Sequence, residues 1–108
     1  MIPDAYSSFI KTIIEKTNRG EVQWATTGDG AYVLRTSSAT VEVGFYNDPD
    51  AELGYYYFKY YNIKKRIKAG FRVNNQEDGY KTMESLSSLA AASAANINDE
   101  LSSFLGEL

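Results

Sequence analysis

This chain of 108 residues brings 14 carboxylates to any reaction, and neither histidine nor cysteine. Without His, the side chain that most often moves protons near neutral pH is missing. Without Cys, thiolate nucleophiles and nearly all zinc sites go as well. Acid–base work would fall to carboxylates, yet Glu15, Glu21, Glu42 and Glu84 stand singly, with no spacing that pairs them. Asp48-Pro49-Asp50-Ala51-Glu52 places its carboxylates at alternate positions, as calcium loops do. An EF-hand loop starting at Asp48 would need Gly where Leu53 stands and Glu where Lys59 stands, so the segment reads as a turn. Gly28-Asp29-Gly30 lacks the following helix that a phosphate loop requires, and also reads as a turn. We expect no catalysis, no metal and no cofactor. The chemistry that remains is recognition. Tyr55, Tyr56, Tyr57, Phe58, Tyr60 and Tyr61 are followed at once by Lys64, Lys65, Arg66, Lys68 and Arg72.

Composition sets the frame for that run. Hydrophobic residues make up 44% and charged residues 23%, which excludes a disordered chain and supports one hydrophobic core across residues 1–108. The net charge of −3 disfavours non-specific binding of nucleic acid by the domain as a whole. Charge is unevenly spread, however. From Leu53 to Gln76 there is no Asp or Glu, while Lys59, Lys64, Lys65, Arg66, Lys68 and Arg72 all fall there. The start, MIPDAYSSFI, has no basic segment leading into an apolar one, and no apolar run reaches the roughly 18 residues that cross a bilayer. Lack of Cys agrees with a cytoplasmic location, and no membrane partner is expected.

The elements that must position these residues are legible from periodicity. Tyr6, Phe9, Ile10, Ile13, Ile14 and Thr17 form one helical stripe between Asp4 and Arg19, with Gly20 suited to the left-handed position beyond. Strand signals follow in EVQWATT, AYVLRT and TVEVGFY, divided by the Asp29-Gly30 and Thr36-Ser37-Ser38 turns. The tyrosine strand comes next, then a turn near Lys64-Lys65-Arg66 and a strand from Ile67 to Val73. From about Gly79 the helical period returns, with Met83, Leu86, Leu89, Ala90, Ala94 and Ile97 on one stripe. Leu101, Phe104, Leu105 and Leu108 form another, so a break is expected at Asn96-Ile97-Asn98, where Asn98 would cap a second helix. The expected fold is α+β: an antiparallel meander of four to five strands, with an N-terminal helix and one broken or two C-terminal helices on one face. Trp24, Val41, Val43, Phe45, Phe58, Phe71, Leu86 and Phe104 are the expected core.

Alternate residues of a strand point to opposite faces. Tyr56, Phe58 and Tyr60 therefore belong under the helices. Tyr55, Tyr57, Lys59 and Tyr61 belong outside, with Glu42, Tyr46, Lys68 and Arg72 of the neighbouring strands. Gly44 and Gly70 should leave shallow depressions among them. Cross-strand aromatic pairing alone would stabilise such a face. Tyrosine and arginine are also the residues that interfaces favour. Tyr46, Tyr55, Tyr57, Lys59, Tyr61, Lys68 and Arg72 are accordingly the candidate partner-binding residues. The expected partner is protein, foremost a second copy in a homodimer, with Lys59 and Arg72 meeting Glu42 of the partner. Single-stranded nucleic acid, stacked on the tyrosines beside Lys and Arg, is the lesser alternative.

One resemblance accompanies this reading. FIKTIIEKTNRGEVQW, a Tyr-rich meander and MESLSSLAAASAANINDELSSFLGEL, taken in order, resemble a group of small uncharacterised bacterial helix–β-meander–helix proteins. The likeness covers most of the chain and implies a helix–meander–helix layout and a bacterial, accessory-gene origin. It implies no activity and no site residue. The Ala/Ser-rich middle of the final segment is less charged here than in the group.

Overall fold

In the computed structural model, the apolar spacing of the N-terminal segment becomes the buried stripe Ile10, Ile13 and Thr17 of helix α1 (Asp4–Asn18). The structure describes the backbone of residues 1–108 and all side chains except those of residues 97 and 98. Five strands follow α1: β1 (Ala25–Thr26), β2 (Tyr32–Arg35), β3 (Ala39–Asp48), β4 (Leu53–Asn62) and β5 (Ile67–Asn74). Helices α2 (Tyr80–Ala94) and α3 (Ile97–Gly106) complete the chain. The strands form one sheet in the order β1-β2-β3-β4-β5, each antiparallel to the next. This is the expected α+β meander. No helix among the described residues is long and apolar enough to cross a membrane.

Turn chemistry explains why each reversal falls where it does. Gly20 takes φ +73°, the left-handed conformation that ends α1. The hydroxyls of Thr27 and Thr36 accept hydrogen bonds from backbone N–H groups two to four residues on, closing the β1–β2 and β2–β3 connections. The Asp48 carboxylate accepts from the N–H groups of Asp50 and Ala51 and shapes the β3–β4 turn.

The core lies between one sheet face and the pair α1 and α2. Ile10, Trp24, Val43, Phe58, Val73, Met83, Leu86 and Ala90 are almost inaccessible to solvent. Register places Val43 opposite Phe58, and Phe58 opposite Phe71 on the same face. The rings of Tyr6 and Phe9 from α1 meet Phe58 edge-on at 5.7 and 5.8 Å, while Phe71 stacks on it at 5.4 Å.

Four expectations need correction. EVQWATT is not a full strand: pairing is confined to Ala25 and Thr26, because the backbone before them is engaged by helices. The Trp24 N–H donates to the Ser93 hydroxyl at 2.9 Å, and that hydroxyl donates to the Val22 carbonyl at 3.3 Å. Phe45 keeps the inward phase but stands 45% exposed, where the sheet runs beyond its helical cover. Phe104 is 61% exposed, because α3 does not reach the sheet and all its described residues are exposed. Not all helices therefore pack on the inner face. The expected break before α3 is present: α2 ends at Ala94, and Asn96 precedes α3 with φ +54°. The cap position of α3 falls at Asn96, not at the expected Asn98, and the place of Ile97 on the α2 stripe lies outside the described side chains.

Trp24 ties these pieces together. Its indole N–H donates to Thr17 Oγ1 at 3.0 Å inside the core, and the Thr17 hydroxyl donates to the Ile13 carbonyl at 2.7 Å. Thr17→Val conserves shape but leaves a buried indole N–H without an acceptor. Chemical denaturation should show a loss of about 1–3 kcal/mol, the penalty for such an orphaned group. An unchanged midpoint would show that the bond contributes nothing to stability.

Candidate functional site

The sheet face turned away from α1 and α2 is built from three strands in strict alternation. It carries Glu42, Gly44 and Tyr46 of β3, Tyr55, Tyr57, Lys59 and Tyr61 of β4, and Lys68, Gly70 and Arg72 of β5. Register sets Tyr46 beside Tyr55, Gly44 beside Tyr57 and Arg72, Glu42 beside Lys59 and Gly70, and Tyr61 beside Lys68. All seven sequence-predicted residues thus share one face.

Much of this face is stabilised within the chain. Tyr46 and Tyr55 stack with centroids 5.2 Å apart and planes 16° apart. The Arg72 guanidinium lies 4.4 Å over the Tyr55 ring and donates to the Tyr46 hydroxyl at 2.6 Å. Tyr55 is consequently 8% exposed. Tyr55 is on the expected outer face, but as a candidate partner-binding residue it is corrected: Arg72 and Tyr46 cover it within the chain. Tyr57 donates its hydroxyl proton to Glu42 Oε2 at 2.6 Å. Its ring fills the space above Gly44, where a Cβ would come within 2.4 Å of the ring carbons. The depression expected at Gly44 is thus occupied, and Glu42 has a partner in its own chain. Val33, level with Glu42, is also buried, so the accessible part of the face narrows to β4 and β5.

There the surface opens into a depression of about 950 Å³ beside Gly70. Six of the seven predicted residues line it: Tyr46, Tyr57, Lys59, Tyr61, Lys68 and Arg72. Tyr55 does not. Lysine ammonium groups sit over tyrosine rings, Lys59 at 5.1 Å from Tyr57 and Lys68 at 5.3 Å from Tyr61. None of the lining residues is acidic. Among the described residues the ion pairs are Lys16–Glu21 and that of the N-terminal ammonium with Glu77, so Lys59, Lys68 and Arg72 have no carboxylate partner there. Gly70 holds the floor for a reason that residue type alone does not show. A Cβ at that position would stand 2.4 Å from the Phe58 carbonyl oxygen of the neighbouring strand. Strand alternation places Gly70 here, but the strand-to-strand closeness and the Tyr57–Glu42 bond appear only in three dimensions.

Chemically, the arrangement can take a ligand that offers apolar or aromatic surface with negative charge at its edge. Its lysines, arginine and tyrosines are donors, and its rings are flat platforms. No protein-family model, curated protein or solved structure gives a significant match to the chain.

The face carries an internal titration marker. Burial, reinforced by the hydrogen bond to Glu42 and by the charges of Glu42 and Asp29, pushes the Tyr57 phenol up to about 12. A folded value above the ordinary one of about 10 means that protonated Tyr57 contributes its full stabilisation below pH 10. That contribution declines as pH rises from there through 12. A spectrophotometric titration of phenolate absorbance should show a late-ionising tyrosine that disappears in Tyr57→Phe. If the variant titrates like the parent, the Tyr57–Glu42 bond does not persist in solution.

Proposed function

We propose that the protein is a non-catalytic protein-interaction module that self-associates through the open half of its outer sheet face. The observation carrying this reading is the depression beside Gly70, where exposed Tyr46 and Tyr61 adjoin Lys59, Lys68 and Arg72. Among the described residues no helix covers this face, and none of its cations is neutralised by a carboxylate. Tyr and Arg supply contact area that tolerates water at the rim, the composition that distinguishes interface cores from ordinary surface. A second copy is the partner that brings a matching surface without any further component. A cytoplasmic location fits this reading.

Stacking of single-stranded nucleic acid is the second reading, favoured by lysines poised over exposed rings. It predicts binding of an unstructured oligonucleotide at low salt, falling steeply as salt rises. No binding at low salt removes it.

Because Tyr57 is tied to Glu42 and covers Gly44, the informative variant changes its more exposed neighbours. Tyr61→Ser with Lys68→Glu should leave the fold intact by circular dichroism. Sedimentation velocity should then show a shift from dimer toward monomer. Sedimentation of the parent protein as a monomer at high concentration would defeat self-association.

A further inference from the structure

Helix α3 presents a second surface without cover. Leu101, Phe104 and Leu105 of α3, continued by Leu108 just past its end, follow the i, i+3, i+4, i+7 spacing of one stripe, and they are 56%, 61%, 68% and 88% exposed. A contiguous apolar stripe of this kind marks a contact site more often than a solvated helix. Glu100 and Glu107 lie seven residues apart along one edge of the stripe, about 10 Å at the helical rise. Beyond Lys81 the chain contains no Lys or Arg, whereas Glu84, Asp99, Glu100 and Glu107 all fall there. The helix is an apolar ridge with an acidic flank.

The depression on the sheet has the opposite character. It is open beside Gly70, floored by ring edges and backbone, and flanked by Lys59, Lys68 and Arg72. Lys68 and Arg72 stand four residues apart on β5, about 13 Å at the strand rise, a span that flexible side chains match to Glu100 and Glu107. We propose that α3 of one copy is the ligand of the sheet depression of a second copy, exchanged reciprocally to close a two-fold dimer. This rests on the reading of that face as the self-association surface and names what occupies it. The stripe Leu101, Phe104, Leu105 and Leu108 enters beside Gly70 against Tyr61 and Tyr46. Glu100 and Glu107 meet Lys59, Lys68 and Arg72.

Exchange between copies follows from the topology. Only Ala95 and Asn96 separate α3 from α2, and α2 packs on the opposite side of the sheet from the depression. The helix therefore cannot fill the depression of its own chain while it remains joined to a docked α2. A helix from another copy meets no such barrier. Reciprocal exchange also closes the assembly, which one-way contact would extend into a filament.

Full-length variants test this by sedimentation, with Trp24 fluorescence reporting that the core is intact. One variant reverses the helix edge, Glu100→Lys with Glu107→Lys. A second reverses the depression, Lys59→Glu with Lys68→Glu, and a third removes the ridge, Phe104→Ser with Leu105→Ser. Each alone should weaken dimerisation by about tenfold or more, since each leaves like charges facing or an anchor missing. Mixing the first two variants should restore a heterodimer, because each reversed helix then meets a complementary depression. If the helix variants dimerise normally while the depression variant does not, the sheet face self-associates without α3; the inference fails and the proposed function stands. If the helix variants dissociate while the depression variant dimerises, helices pair with each other and the inference fails. A parent protein that is monomeric at high concentration defeats both.

Discussion

A sheet has two faces, and the way this chain divides its helices between them governs everything else in the structure. α1 and α2 lie on the same face, where Phe58, Val43 and Val73 meet Ile10, Met83 and Leu86 in a dry core. The other face receives no element among the described residues. It must therefore be held together by its own side chains, and Tyr is suited to that task. Its ring buries area against a neighbour while its hydroxyl stays hydrogen-bonded. Tyr46, Tyr55, Tyr57, Glu42 and Arg72 form such a lattice, with stacking, a cation over a ring and hydroxyl bonds at both ends. This lattice gives the tyrosine run a largely internal role. Most of its rings are buried or half-buried, and Tyr61 alone among them is exposed.

Electrostatics follows the same division. The chain segregates its charge in sequence, and folding turns that into segregation in space. Segment 53–76, free of acid, becomes β4, β5 and the exposed Lys64-Lys65-Arg66 turn between them. The segment after Lys81, free of base, becomes all of α2 but its first two residues and the whole of α3. Attraction between such regions fixes orientation and approach more than it adds affinity. Exposed pairs elsewhere contribute little, as expected of Lys16–Glu21 on the surface.

Periodicity made the element order, the phase of each strand and the division between inner and outer tyrosines readable before any coordinates. The helix break was readable too, because an unbroken helix would have outrun the domain. Phe45 and Phe104 were not readable as exposed. Alternation tells which side of an element a residue occupies, but not whether another element extends far enough to cover it. Tyr55 erred the other way. Its burial depends on Arg72, two strands from Tyr46, reaching back over the ring. The shortness of β1 was likewise hidden. Val22 and Trp24 look like strand residues, yet their backbone is claimed by Ser93, about 70 positions away.

That last link has a kinetic meaning. Every strand pairs with its sequence neighbour, so the meander can zip up through short loops whose closure costs little entropy. The long β3–β4 ladder, with ten residues in register, needs only the short turn at Asp48 to begin. The hooks from Val22 and Trp24 to Ser93 span 71 and 69 residues of the 108 and gain nothing until α2 has formed. The connectivity thus favours local hairpins ahead of the collapse of α1 and α2 onto one face, with the link from Trp24 to Ser93 closing only once α2 is in place.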